Sequence, residues 1–119
     1  MNFQIVSGEI LLDYQRKYQV LLVDLRDYES YCREHLTGAL WMSGKHAPKE
    51  LSLLIDHYFC MYGREPEWIA LYCHSGRISL MTAKELARMG YPVLSLYGGY
   101  DGWRQEHPTN CPLEFHHSL

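Results

Sequence analysis

The sequence predicts an α/β domain built on a mostly parallel sheet. Short apolar runs of strand length alternate along the chain with segments of helical periodicity. The two clearest strands, residues 20–23 and 68–72, are continuously apolar, as expected of parallel strands covered by helices on both faces. A short loop of small and polar residues follows the second of them, at the strand end where such folds place their ligands.

Each predicted element has a local reason. Ser7 and Asp27 are residue types that cap helices, and Pro48 suits the first turn of one. Gly63 and Gly90 suit helix ends. Strands are predicted at residues 3–6, 20–23, 40–41, 68–72 and 93–97. A first helix is predicted from Ser7 to about 17, with Ile10, Leu11 and Tyr14 facing inward, and a short second helix from Asp27 to about 34. The third helix is predicted from Pro48 to 62, and the residues that share one face of it are Leu51, Leu54, Ile55, Tyr58 and Tyr62. Two more helices are predicted from Ile78 to about 89 and after Gly98 as far as Pro108.

Length and composition restrict the class of protein. The chain has 119 residues, 47% of them hydrophobic, which predicts one domain over residues 1–109 and a C-terminal tail over 110–119. The net charge of −3 and the lack of a basic block argue against a nucleic-acid partner. No apolar stretch is long enough to span a membrane, and no signal peptide is visible.

The cysteines limit the chemistry further. Four widely spaced cysteines, at positions 32, 60, 73 and 111, form no CxxC pair, which argues against a zinc site and a thioredoxin-type redox pair. We therefore expect no metal and no cofactor, and a cytoplasmic monomer whose thiols stay reduced.

The junction at Cys73 carries the strongest chemical signal. Cys73 ends an apolar strand, and a short loop of His74, Ser75, Gly76 and Arg77 leads into a helix. Backbone N–H groups of such a loop, together with the helix dipole, attract negative charge, so this thiol is expected to ionise more readily than a free one. The alternative is that Cys73 is only a small buried apolar residue at the end of a strand.

Three separated segments resemble the rhodanese (sulfurtransferase) family. LLVDLRDYESYCREHLTGAL is similar to its first signature, a strand followed by D-x-R, an E-x-Y helix and H-[IL]-x-G-A. IALYCHSGRIS resembles the active-site loop, and LSLYGGYDGWR resembles the closing Gly-Gly turn with its Trp. The order and spacing match over residues 3–107. The resemblance implies a three-layer rhodanese-like domain with about five strands flanked by helices.

The resemblance also implies a function. In that family the cysteine takes a sulfane sulfur from a small anionic donor such as thiosulfate, becomes a persulfide, and passes the sulfur to a thiol or a protein acceptor. Cys73 would be the catalytic residue. The persulfide would lie in a loop formed by His74, Ser75, Gly76, Arg77, Ile78 and Ser79, and Asp24, Arg26 and His35 would support the site.

Two positions depart from the family pattern. Ile78 stands where many single-domain members carry arginine, and the arginine is shifted to Arg77. Tyr97 stands where an acidic residue often precedes the Gly-Gly pair.

Position 79 is serine rather than arginine, which argues against a cysteine phosphatase, whose C-x5-R loop needs a guanidinium. Two functions remain open: a sulfurtransferase working through Cys73, and a rhodanese-like binding or regulatory module with little turnover.

Overall fold

A five-stranded, fully parallel sheet forms the centre of the molecule. The computed structural model describes residues 3–107 and the backbone of residues 115–116. Seven strands lie in this part of the chain: β1 Phe3–Val6, β2 Val20–Asp24, β3 His35–Leu36, β4 Leu40–Trp41, β5 Trp68–Tyr72, β6 Val93–Leu96 and β7 Phe115–His116. The main sheet has the order β1-β6-β5-β2-β4, and every neighbouring pair in it is parallel. The strand β5, which precedes Cys73, is therefore the central strand.

Five helices cover the two faces of this sheet: α1 Gly8–Lys17, α2 Tyr28–Arg33, α3 Ala47–Tyr62, α4 Arg77–Arg88 and α5 Gly99–Glu106. On one face, α3 and α4 pack over side chains such as Val23 and Leu71. On the other, α1 and α5 pack over side chains such as Leu22 and Ala70. This alternation along each strand explains the continuously apolar sequences, because both faces are buried. None of the described helices is long and apolar enough to cross a membrane.

The predicted strands and helices are confirmed within a residue or two, with two errors of facing. Ser7 caps α1 by accepting a hydrogen bond from the Ile10 N–H group, as predicted. Ile10 itself is 43% exposed, however, while Leu11 is fully buried. The predicted face of α3 is likewise buried at Leu51 but exposed at Tyr62. A helix covers the sheet with a limited stripe, so residues at its margin or beyond the sheet stay in solvent.

A second sheet was not predicted. β7 pairs antiparallel with β3, which places His116 opposite His35 and Phe115 opposite Leu36. Phe115 and His116 belong to the segment that we predicted as a tail, residues 110–119. The remainder of that segment, and the predicted helix stop at Pro108, lie outside the described residues.

A buried ion pair ties β2 to the helices above it. Arg26 Nη2 lies 2.8 Å from Asp24 Oδ2, and the two side chains are 3% and 0% exposed. The same nitrogen donates to the backbone carbonyl of Glu34 at 2.6 Å. The guanidinium carbon also lies 4.0 Å from the centre of the Tyr100 ring. One side chain therefore connects the end of β2 to α2 and α5.

Replacing Arg26 should cost much more stability than replacing an exposed arginine. Arg26→Ala leaves the Asp24 carboxylate buried without its cation, which should lower the free energy of unfolding by about 3–5 kcal/mol. Arg16 pairs with Asp13 at the surface, with side chains 69% and 51% exposed, so Arg16→Ala should cost less than about 1 kcal/mol. Urea unfolding of both variants measures the difference, and equal losses would contradict the structural role of the buried pair.

Candidate active site

The Cys73 loop lies at the carboxyl end of the central strand. Residues 73–76 connect β5 directly to α4, which begins at Arg77. Cys73 is only 2% exposed, so its side chain is at the base of the loop and not on the surface. The sulfur is therefore covered by protein atoms and not open to solvent. Parallel α/β sheets place ligands at this edge.

Three hydrogen-bonding groups surround the Cys73 sulfur. The backbone N–H groups of Gly76 and Ser79 donate to Sγ at 3.2 and 3.3 Å. The Ser79 hydroxyl oxygen lies 3.5 Å from Sγ. Both N–H groups belong to the start of α4, where the helix has no internal acceptors for them and its dipole is positive. This arrangement stabilises negative charge on the sulfur.

The N-terminus of α5 holds the loop from outside. The Tyr100 N–H group donates to the Cys73 carbonyl at 2.8 Å, and the Asp101 N–H group donates to the His74 carbonyl at 2.9 Å. Gly99 has a positive φ of 61°, and a Cβ atom there would lie 2.5 Å from the Cys73 carbonyl oxygen. Only glycine allows the two backbones to come this close.

His74 points away from the sulfur and toward α2. Its Nε2 lies 3.1 Å from Asp27 Oδ1, and its Nδ1 lies 3.8 Å from Asp101 Oδ1. The hydrogen bond from His74, with further bonds from Ser30, holds the pKa of the Asp27 carboxyl well below its usual range. Any positive charge on His74 is therefore offset by neighbouring carboxylates. The side chain links the loop to α2 and adds little net positive charge to the site.

The rest of the loop faces solvent. Ser75, Arg77 and Ile78 are exposed, and Ile78 is 60% exposed. Arg77 lines a cleft of about 310 Å³ together with Ile5 and Tyr97. A second cleft, of about 470 Å³, is lined by Arg26, Ser30, Arg33, Glu34, His74, Tyr100 and Asp101. Arg77 is therefore the cation that borders the first cleft.

The supporting residues lie at two places. Asp24 and Arg26 form the buried pair described above, and Arg26 also lines the second cleft. His35 lies in β3, where its Nδ1 is 2.7 Å from the Tyr31 carbonyl and its ring stacks on the Tyr31 ring. His35 borders a separate cavity, of about 470 Å³, beside β2. The structure thus brings Asp24 and Arg26 to the edge of the site, and His35 to a different cavity.

Sequence reasoning did not identify two residues that shape the loop. Gly99 was assigned only to a turn, and the closeness of its backbone to Cys73 depends on packing between β6 and α5. Ser95 lies within β6, and its hydroxyl oxygen is 3.1 Å from that of Ser79. A serine in an otherwise apolar buried strand was the available signal for Ser95.

The fold and the loop together define a class of protein. It is an α/β domain with a cysteine whose sulfur accepts hydrogen bonds from backbone N–H groups, placed after the central strand of a parallel sheet. The family model for the rhodanese-like domain matches residues 7–106, and the chain belongs to that family.

Curated relatives carry sulfurtransferase names. A thiosulfate sulfurtransferase GlpE from Coxiella burnetii is 30% identical over 118 residues, which cover 92% of this chain and 95% of that protein. A tRNA sulfurtransferase from Desulfurococcus amylolyticus is 34% identical over 84 residues, covering 71% of this chain but 15% of that longer protein. At the level of the family, the chain is therefore related to sulfur-transferring enzymes.

Solved structures show the same fold. The structure of a thiosulfate sulfurtransferase from Pseudomonas aeruginosa superposes with a TM-score of 0.74 at 21% identity, covering 97% of this chain and 19% of that one. A rhodanese-related protein from Thermoplasma volcanium gives a TM-score of 0.69 at 13% identity, covering 87% and 93% of the two chains. These matches confirm the predicted rhodanese-like α/β architecture.

Gly99→Ala should disturb the Cys73 loop specifically. The new methyl group would meet the Cys73 carbonyl, so we expect a stability loss of about 2 kcal/mol or more and at least a tenfold slower alkylation of Cys73. Gly63→Ala is a matched control, because Gly63 also has a positive φ, 74°, but nothing lies within 4 Å of the added Cβ. It should lose about 1 kcal/mol and keep normal Cys73 reactivity. Similar reactivity in both variants would contradict a role for α5 in shaping the loop.

Proposed function

We propose that this protein is a sulfurtransferase that carries a sulfane sulfur on Cys73 as a persulfide. Its donor would be a small anion such as thiosulfate, and its acceptor a thiol or a protein nucleophile. The observation that carries the proposal is the cradle formed by the Gly76 and Ser79 N–H groups, which donate to Cys73 Sγ, with the Ser79 hydroxyl oxygen beside the same sulfur. Such a cradle stabilises a thiolate, which is the reactive form of cysteine.

The first half of the reaction loads sulfur onto the enzyme. The Cys73 thiolate attacks the outer sulfur of thiosulfate and forms a new S–S bond. The original S–S bond of thiosulfate breaks, and sulfite leaves with that electron pair. The negative charge moves to the terminal sulfur of the Cys73 persulfide, where the N–H groups of the loop can act as an anion-binding site.

The second half returns the free enzyme. An acceptor thiolate attacks the terminal sulfur, the persulfide S–S bond breaks, and Cys73 Sγ leaves as a thiolate. Each half-reaction conserves charge and requires no metal or redox cofactor. Hydrogen-bond donors around Sγ favour both half-reactions. They increase the fraction of Cys73 present as the nucleophilic thiolate in the first, and they stabilise Sγ as the leaving thiolate in the second.

A second candidate function is a rhodanese-like binding or regulatory module with little turnover. The observation that favours it is the exposed apolar surface beside the loop. Ile78, Met81 and Tyr97 are 60%, 71% and 77% exposed, where a polar or basic residue would serve a small anion better. This candidate predicts slow or absent loading of sulfur on an otherwise intact loop.

Thiosulfate should add the mass of one sulfur atom to Cys73. Intact-protein mass spectrometry followed by peptide mapping measures the adduct, and cyanide or a thiol should remove it. Cys73→Ser should abolish the adduct, whereas Cys60→Ser, which changes an exposed cysteine, should leave it unchanged. Sulfur mapped to Cys32, Cys60 or Cys111, or no adduct at all, would contradict the persulfide mechanism.

Arg77 should assist loading from an anionic donor. Arg77→Ala should slow persulfide formation from thiosulfate by about fivefold at low salt. The effect is modest because the side chain is exposed and screened by solvent, and it should shrink as ionic strength rises.

Arg88 provides the matched control for this test. It is an exposed arginine in the last turn of the same helix, away from the loop. Arg88→Ala should leave the rate of loading unchanged. If Arg77→Ala and Arg88→Ala have equal effects, the guanidinium of Arg77 has no local role, and the backbone cradle alone accounts for donor binding.

A further inference from the structure

Ser95 is a polar residue where packing calls for an apolar one. It lies in β6 between Leu94 and Leu96, which are 0% and 2% exposed, and is itself 1% exposed. Burying a hydroxyl group in such surroundings is unfavourable unless the group is hydrogen-bonded. The partner that satisfies it therefore indicates what this serine does.

The partner of Ser95 is the serine that contacts the Cys73 sulfur. Ser95 Oγ lies 3.1 Å from Ser79 Oγ. Ser79 Oγ lies in turn 3.3 Å from the Gly76 carbonyl oxygen and 3.5 Å from Cys73 Sγ. Ser79 is fully buried. The two hydroxyl groups form a chain that leads from the sheet to the sulfur.

The number of hydroxyl protons limits which hydrogen bonds the two serines can make at one time. Each serine has one O–H donor and two lone pairs. Among the described residues, Ser79 Oγ is the hydrogen-bond acceptor within reach of the Ser95 hydroxyl. If Ser95 donates to Ser79, the single Ser79 proton is left for either the Gly76 carbonyl or the Cys73 sulfur. A neutral Cys73 thiol can donate to Ser79 Oγ, whereas an anionic sulfur can only accept.

We propose that Ser95 is a positioning residue that holds the Ser79 oxygen in place, so that the Ser79 hydroxyl turns from the Gly76 carbonyl to Cys73 Sγ whenever the sulfur is anionic. Ser79 is then a catalytic residue, since its hydroxyl touches the reacting atom, and Ser95 acts through it. The assignment of a catalytic step to this hydroxyl rests on the proposed sulfur transfer.

The hydrogen-bonded pair of Ser95 and Ser79 would stabilise the Cys73 sulfur at two points of the reaction. Cys73 Sγ is anionic before it attacks the donor and again when it leaves as the acceptor takes the terminal sulfur. In the persulfide between these points the charge lies on the terminal sulfur, and the Ser79 hydroxyl can return to the Gly76 carbonyl. Because the hydroxyl proton only changes its acceptor, no bond to oxygen breaks and no co-reactant is needed.

The test compares two substitutions of equal shape at position 95. Ser95→Thr keeps the hydroxyl and adds a methyl group, whereas Ser95→Val adds the same bulk without a hydroxyl. The readout is the pH at which alkylation of Cys73 by iodoacetamide reaches half its maximal rate, followed by mass spectrometry of the Cys73 peptide. No sulfur donor is present, so this measurement is independent of the proposed sulfur transfer.

We expect a graded result. Ser79→Ala removes a hydrogen bond to an anion and should raise the midpoint by about one pH unit. Ser95→Val should raise it by about half as much, and Ser95→Thr should leave it within about 0.2 units of the unmodified protein. At high pH, where Cys73 is fully ionised in every variant, the alkylation rates should converge. Disturbed packing would instead change the rates at all pH values.

Other results would overturn the proposal. Equal shifts for Ser95→Thr and Ser95→Val would show that bulk and not the hydroxyl matters. A shift for Ser79→Ala with none for Ser95→Val would remove Ser95 from the site. If the added methyl group prevents folding, Ser95→Ala carries the test, because it removes only the hydroxyl and should raise the midpoint as Ser95→Val would. Failure of unmodified protein to load sulfur from thiosulfate would defeat the proposed function instead, and would leave these midpoints unaffected.

Discussion

The contact between the start of α5 and the Cys73 loop is the constraint on which the site depends. Two N–H groups that the helix cannot satisfy internally, those of Tyr100 and Asp101, bind the carbonyls of Cys73 and His74. This contact requires Gly99, because any side chain would collide with the Cys73 carbonyl. With its carbonyls held on the outside, the loop directs its N–H groups inward, toward the sulfur.

The helix α5 is also held in place by the buried ion pair at the end of β2. Arg26 pairs with Asp24, binds the Glu34 carbonyl and lies against the Tyr100 ring. The Tyr100 hydroxyl donates to the Glu34 carboxylate, which adds a second link between α5 and the end of α2. The ion pair and the loop contact therefore position one structural unit. A change that weakens the pair is expected to affect both stability and the geometry around Cys73.

The electrostatics of the site come mainly from the backbone. His74 faces Asp27 and Asp101, so its ring is paired with carboxylates, and Arg77 is exposed at the rim of a cleft. The Cys73 sulfur is surrounded instead by N–H groups and one hydroxyl. Backbone dipoles are fixed by the fold and need not reorganise when charge develops on sulfur. The Cys73 sulfur thus has hydrogen-bond donors around it although position 78 carries isoleucine and not arginine.

The sequence by itself determined the succession of strands and helices along the chain, most of their ends, and the position of Cys73 directly after an apolar strand. These features depend on local patterns: apolar runs, helical spacing, and the cap at Ser7, all of which act within a few residues of the chain. Tertiary structure alone decided that Ile10 faces solvent, that His74 binds Asp27, and that Ser95 reaches Ser79. The two hydrogen-bonded pairs are separated by 47 and 16 residues, and their contacts exist only after helices and strands have packed. A local pattern specifies how a segment folds, but which side chains meet across the sheet is set by packing.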